Sequence, residues 1–384
     1  MAKGAMGVEF WIGLMVCSAL AVMQVNAAGS GFPVPSYYVF GDAYFDAGNN
    51  NFIRNAVPKA NYKPYGMTFF KGVPTGRFCN GRIFADLLAA VMKLPLAPPS
   101  LSTTLTLDQK GVCVNYASGG AAILRSSSVA YGWKNPPSFD QQVTLFETHA
   151  NTVIYEYGID NALLILNDAI YQISFGTIDV LAYFTQPHQI ESIQIFLESL
   201  ATEYRRLVDR LYTINARKVV VFGVGPIQNS PLAKLMMSKM TPAESKKFCK
   251  DVDTAVQQLN QKLRLMVTEF NNDNAVGQPH GSLQLVFADV YGAVSAITKK
   301  PGAYGLTDVT NACCGAGKFG AEIPCGHRNS KVCKNVSKSL YWNDMQFTEA
   351  ANQVLFKLFF DGSSFVKPLS VKSLAKLLIP GVPY

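Results

Sequence analysis

Few residues in this chain are placed to do chemistry. Asp42 and Asp46 follow the short apolar run Tyr37–Phe40, where they could serve as catalytic carboxylates or as a turn former and a helix cap. Ser118, beside Gly119, carries a hydroxyl that could act as a nucleophile, and Cys79 and Cys113 carry thiols that could do the same. Such a nucleophile needs a base, and there are four histidines: His149, His188, His280 and His327. None lies near Cys79 or Cys113 in sequence, and each reads as a surface or loop residue. Four cysteines, Cys313, Cys314, Cys325 and Cys333, fall within 21 residues of a glycine-rich stretch. With His327 beside Cys325 they could ligate zinc, but an adjacent pair is poor spacing for tetrahedral coordination, so disulfides pinning a loop are expected. Gly315-Ala316-Gly317-Lys318-Phe319-Gly320 matches a dinucleotide-binding pattern yet follows no predicted strand, and is read as a chance match. No metal and no cofactor is expected.

The elements that position these residues are legible as alternating periods. Tyr37–Phe40, Val112–Ala117, Ile170–Phe175, Lys218–Val224 and Leu283–Asp289 are short runs rich in β-branched and aromatic types, most of them followed by turn residues. Between them lie helical periods over Ile83–Met92, Ile190–Ile214, Thr241–Phe270 and Thr348–Phe359. Thr241-Pro242-Ala243-Glu244 opens the third with an N-cap, a proline at N1 and a glutamate at N3. Strands alternating with helices imply a mainly parallel sheet covered on both faces, and ligands of such a sheet sit beyond the carboxyl ends of its strands.

Composition narrows the class. Among 384 residues, 49% are hydrophobic and 16% charged, too apolar for a disordered chain. The net charge of +8 is scattered, with basic pairs at most, so nucleic acid is not an expected partner. Lys3 precedes an apolar run from Phe10 to Val25 that ends at Val25-Asn26-Ala27. That run is shorter than the roughly 20 residues of a membrane span and reads as a signal peptide over residues 1–27. Residues 28–384 read as one domain with no transmembrane anchor, destined for the secretory pathway: secreted, or retained in vacuole or endoplasmic reticulum. Seven cysteines follow the leader, so at least one is unpaired or pairs with another chain, and Asn335-Val336-Ser337 is the one N-glycosylation sequon.

FGDAYFDAGNNNF (Phe40–Phe52) resembles the first signature block of the plant GDSL esterase/lipases, members of the SGNH hydrolase superfamily. GRFCNGRIFADLLA (Gly76–Ala89), VNYASGGAAIL (Val114–Leu124), YQISFGTIDVLAYF (Tyr171–Phe184), VTNACCG (Val309–Gly315) and YWNDMQFTEAAN (Tyr341–Asn352) resemble further blocks, in family order. The resemblance implies a flavodoxin-like three-layer α/β/α sandwich. It also implies where catalysis would reside. The nucleophilic serine position is Ala43; the general-base histidine position is Gln346; the aspartate that orients it is Asn343; and the oxyanion asparagine position is Ile178. Only Gly119 matches an oxyanion donor. A methyl group cannot form an acyl-enzyme, Gln346 cannot accept a proton near neutral pH, and Ile178 donates nothing. Asp344, one residue from the lost aspartate, has no imidazole to orient, and Ser118 is ordinary in the family pattern. Asn229 stands where the family has a cysteine, which leaves Cys249, its implied partner, as the odd thiol.

Two functions are compatible with these residues. One is an inactive member of the hydrolase family whose cleft (Asp42, Ala43, Gly119, Ile178, Gln346) binds a protein, lipid or glycan. The other is an ester hydrolase or acyltransferase working through a rearranged site.

Overall fold

The computed structural model describes residues 31–55, 57–103, 113–186, 191–273 and 282–379. The expected signal peptide, His188 and His280 lie outside the described residues. Five parallel strands form the centre: β1 (Tyr37–Gly41), β2 (Cys113–Asn115), β3 (Ile170–Ser174), β4 (Lys218–Phe222) and β5 (Gln284–Ala288). A two-residue strand, Val366–Lys367, pairs antiparallel with β5, and the sheet runs from it through β5, β4, β3 and β1 to β2. Strand order therefore reverses between β1 and β3, the switch point of a flavodoxin-like sheet.

Alternation along each strand assigns its side chains to one of two cores. Tyr38, Phe40, Tyr171, Ile173, Val219, Val221 and Leu285 face one layer, packed by the helices Phe139–Tyr157, Ile193–Thr213 and Pro242–Asn272. Tyr37, Val39, Ile170, Val220, Phe222 and Val286 face the other, packed by Phe84–Met92, Val290–Lys299 and Glu349–Phe360. Strands buried on both faces read as nearly continuous apolar runs, which is why their sequence signal is strong. Gln172, in the centre of β3, breaks that rule: both its amide atoms are buried without a hydrogen-bond partner.

All five expected strands are present, with β2 trimmed to three residues. The Thr241 cap forms as expected, Glu244 N–H donating to the hydroxyl and Thr241 N–H to the Glu244 carboxylate. The helices Phe139–Tyr157, Ile159–Asp168, Thr177–Thr185, Pro231–Met237 and Val290–Lys299 are additions to the expected set. Thr177–Thr185 and Val290–Lys299 open just beyond the ends of β3 and β5, where the turn signal is the dominant reading of the sequence, and Pro231–Met237 follows β4 after a short 3-10 turn at Ile227–Asn229. Cys313 is bonded to Cys333 and Cys314 to Cys325, so the four clustered cysteines are consumed in a loop carrying short strand pairs of its own. One of these, Cys314–Gly315 with Lys331–Val332, overlaps the glycine pattern for which no neighbouring strand is predicted.

Candidate functional site

The loops leaving β1, β2 and β3 converge at the switch point. Gly41, the last residue of β1, is clamped by Gln142: the amide oxygen accepts Gly41 N–H at 2.9 Å and the amide nitrogen donates to Gly41 C=O at 2.9 Å. Asp42, 3% exposed, accepts Tyr44 N–H at 3.0 Å and turns the chain. Asp46 then ties two loops together. One carboxylate oxygen accepts the N–H groups of Gly48 and Asn49, both at 2.7 Å, and the other accepts Gly119 N–H at 2.8 Å. Asn49 donates to the carbonyls of Asn115 and Ala117, and Asn50 to those of Gly119 and Pro58. Both aspartates therefore have turn and cap partners.

Gly119 does not sit where the sequence put it. Its N–H is committed to Asp46, and a Cβ added there would lie 2.6 Å from the Phe78 ring, so the residue is walled in behind the cleft. Gly120 lines the cleft instead. Neither Gly120 N–H nor Ala43 N–H has an acceptor among the described residues. Ser118 is fully buried and donates its hydroxyl to the Asn50 side chain, which removes it as a nucleophile.

Beyond β3, Gly176 takes φ +115°, and a Cβ there would lie 2.7 Å from a Val224 methyl, so glycine is needed to turn into the helix Thr177–Thr185. Ile178 in its first turn reaches the cleft. Its neighbour Asp179 points away and accepts the N–H groups of Ile123 (2.9 Å) and Leu124 (3.1 Å). On the opposite wall Asn343 accepts Met345 N–H at 3.1 Å and Gln346 N–H at 2.8 Å and donates to the Tyr65 hydroxyl at 3.1 Å. This turn presents Gln346, whose own carbonyl accepts Trp342 N–H at 2.7 Å.

Asp42, Ala43, Ile178, Asn343 and Gln346 thus line one cleft of about 510 Å³, a size suited to a small ligand. Its remaining walls come from loops that sequence reasoning passed over: Tyr62, Tyr65, Tyr131 and Trp133 supply aromatic surface, and Lys59 and His327 reach its rim. These sit in irregular segments with no periodicity to flag them. Burial pushes the Asp42 carboxyl up to about 7, and burial also raises Asp344, which lines the same cleft. His327 is exposed, and among the described residues its ring makes no hydrogen bond to a hydroxyl or thiol.

A model of the GDSL-like lipases and acylhydrolases matches residues 37–359. The chain belongs to this family. A GDSL esterase/lipase of Arabidopsis thaliana is 33% identical over 375 residues, covering 95% of this chain and 97% of its own length. GDSL esterase/lipase 7 of the same plant is 31% identical over 379 residues, covering 95% and 99%. A solved carbohydrate esterase overlaps 66% of this chain and 58% of its own with 11% identity and a TM-score of 0.31, too distant a likeness to argue from.

Against that family background the other nucleophile and ligand candidates fall away on geometry. Cys79 is buried, hydrogen-bonds within its own turn, and has its thiol pushed up to about 12 by burial; Cys113 is buried in β2 and also raised. Neither lines the cleft. Cys249 is unpaired, as are these two. His327 cannot share zinc with the clustered cysteines, because all four sulfurs are in disulfides. His149 packs edge-on against Tyr38, 6.1 Å between ring centres, on the helix Phe139–Tyr157.

Proposed function

We propose that this family member binds a ligand in the switch-point cleft without hydrolysing it, as a protein of the secretory pathway. One observation carries the reading. Where a serine, an imidazole, a carboxylate and a side-chain amide would act together, the cleft presents Ala43, Gln346, Asn343 and Ile178. Losing the nucleophile or the base of a triad costs about 10⁶ in kcat, and each oxyanion donor about 10²–10³ more. Backbone N–H groups at Ala43 and Gly120 can still hold an oxygen, but they supply no nucleophile. Retention of the turn formers beside emptied catalytic positions supports a cleft kept for its shape. Its aromatic walls and apolar Ile178 suit an organic ligand, lipid or glycan, and a protein segment could enter the same space. The clustered disulfides and the exposed Asn335 sequon are consistent with passage through an oxidising compartment.

The test is hydrolysis of short and long p-nitrophenyl esters by the pure protein, run alongside fluorophosphonate labelling. No turnover and no label is the expected outcome. Turnover tied to a labelled residue, and abolished by replacing it, would establish the rearranged hydrolase instead. The combined Ala43→Ser, Ile178→Asn, Asn343→Asp and Gln346→His variant should restore turnover by at least about 10³, while each single change restores almost nothing, since triad members act as a unit. A folded quadruple variant with no turnover shows that the cleft has changed shape as well as chemistry.

A further inference from the structure

Between Asp46 and Asp86 the chain has no acidic residue and six basic ones: Arg54, Lys59, Lys63, Lys71, Arg77 and Arg82. Three are spent internally. Arg77 is buried against Asp86, Arg82 pairs with Glu349, and Lys59 donates to the carbonyls of Asn50 and Ile53. Arg54, Lys63 and Lys71 are exposed and make no ion pair among the described residues.

The same stretch exposes large apolar side chains: Phe52 (43%), Met67 (43%), Phe70 (43%) and Val73 (59%). They stand on a rigid frame. Gly66 N–H donates to Cys79 C=O and Thr68 N–H to Asn80 C=O, and the loop closes on itself through Phe69 N–H to Gly66, Gly72 N–H to Phe69 and Val73 N–H to Phe70. Phe70 (φ +47°) and Lys71 (φ +59°) hold left-handed conformations at its tip, unfavourable for residues with a Cβ. The Phe52 turn abuts this loop, with the Asn51 side-chain amide donating to Thr75 C=O at 2.8 Å. Apolar tips with uncompensated positive charge, and no acid between them in sequence, are complementary to a surface that is apolar inside and negative at its face. The rim also continues into the cleft wall through Val57, Pro58, Tyr62 and Tyr65.

We propose that this rim docks on anionic phospholipid membranes, with Phe52, Met67, Phe70 and Val73 entering the headgroup boundary and Arg54, Lys63 and Lys71 meeting lipid phosphates, so that the cleft mouth opens beside the bilayer. The proposal does not depend on whether the cleft is catalytic.

The test is co-sedimentation of the protein with vesicles of phosphatidylcholine alone and of phosphatidylcholine mixed with phosphatidylserine. Each basic side chain near an anionic surface contributes about five-fold, so three give about 100-fold tighter binding to the mixed vesicles. Raising the salt from about 0.1 M to about 1 M, which shortens the screening length from about 10 Å to about 3 Å, should remove most of that difference. Lys63→Glu with Lys71→Glu should abolish the preference. Phe70→Ser with Val73→Ser should weaken binding to both vesicles by roughly 20-fold, at about five-fold for each half-exposed side chain. Circular dichroism of each variant checks folding; should the serine pair misfold, the lysine pair and the salt series decide. Equal binding to neutral and mixed vesicles, or binding indifferent to both variant pairs, overturns the proposal. So does a solution dimer that Phe70→Ser dissociates while the parent ignores vesicles, because the face would then belong to a second copy of the chain.

Discussion

Replacing Asn343 tests the shape of the cleft separately from the loss of chemistry proposed for it. The side chain is 5% exposed and makes three hydrogen bonds: it accepts Met345 N–H and Gln346 N–H and donates to the Tyr65 hydroxyl. Asn343→Ala leaves two backbone donors without an acceptor in a mostly buried turn, at about 1–3 kcal/mol for each buried group left unsatisfied. Gln346 borders the open cleft, so water can satisfy part of that loss, and a total near 2–4 kcal/mol is expected. Asn343→Asp keeps the accepting oxygen, and Tyr65 can rotate its hydroxyl to donate to the other, so the cost should stay below about 1 kcal/mol above pH 6. Urea denaturation of the three proteins, read by tryptophan fluorescence, gives the ranking Asn and Asp together, Ala well below. An alanine variant as stable as the parent would refute the turn argument and, with it, the claim that this wall of the cleft is maintained independently of catalysis.

Breaking the buried pair of Arg77 and Asp86, joined at 2.8 and 2.7 Å, by Arg77→Met should cost about 3–5 kcal/mol in the same titration, and pairing it with Asp86→Leu should recover part of the loss. Gln172→Met should raise the urea midpoint, by about 1 kcal/mol of stability, because it removes two buried polar atoms that have no partner. For Asp42 the folded carboxyl titrates near 7, above its ordinary range near 4, so the unfolded chain gives up its proton first and stability falls as pH rises from about 4 to about 7. Asp42→Asn should therefore gain on the parent across that window and hold the gain above it, as measured by melting temperature against pH.

The sheet was legible because a strand buried on both faces cannot hide its apolar run, and because most of the runs here are followed by turn residues such as glycine. The helix at Thr177 was not, because it starts within two residues of β3, where Gly176 announces a turn and nothing about the helix beyond it. Phe139–Tyr157 escaped for a different reason: its buried stripe (Phe139, Val143, Phe146, Ala150, Val153) is interrupted by the buried Gln142 and diluted by Gln141, Thr144 and Thr148 on the outer face. At the site, spacing located the residues that border the cleft but not the atoms that face it. Gly119 and Gly120 are adjacent and identical in type; only the Asp46 carboxylate, drawn to one amide, decides which is sealed and which is open. Tyr65, Trp133 and His327 arrive from separate loops, and their meeting is a property of the tertiary structure alone.

The side chains of Asp46, Asn49, Asn50 and Asp179 fasten the loops at the switch point by bonds that bypass Ala43, Ile178 and Gln346. Replacements at those three positions consequently meet little mechanical resistance. An enzyme wired in this way can forfeit its reaction one substitution at a time while every intermediate still folds, and the same slack lets a protein engineer install new chemistry at the mouth without first re-stabilising the scaffold.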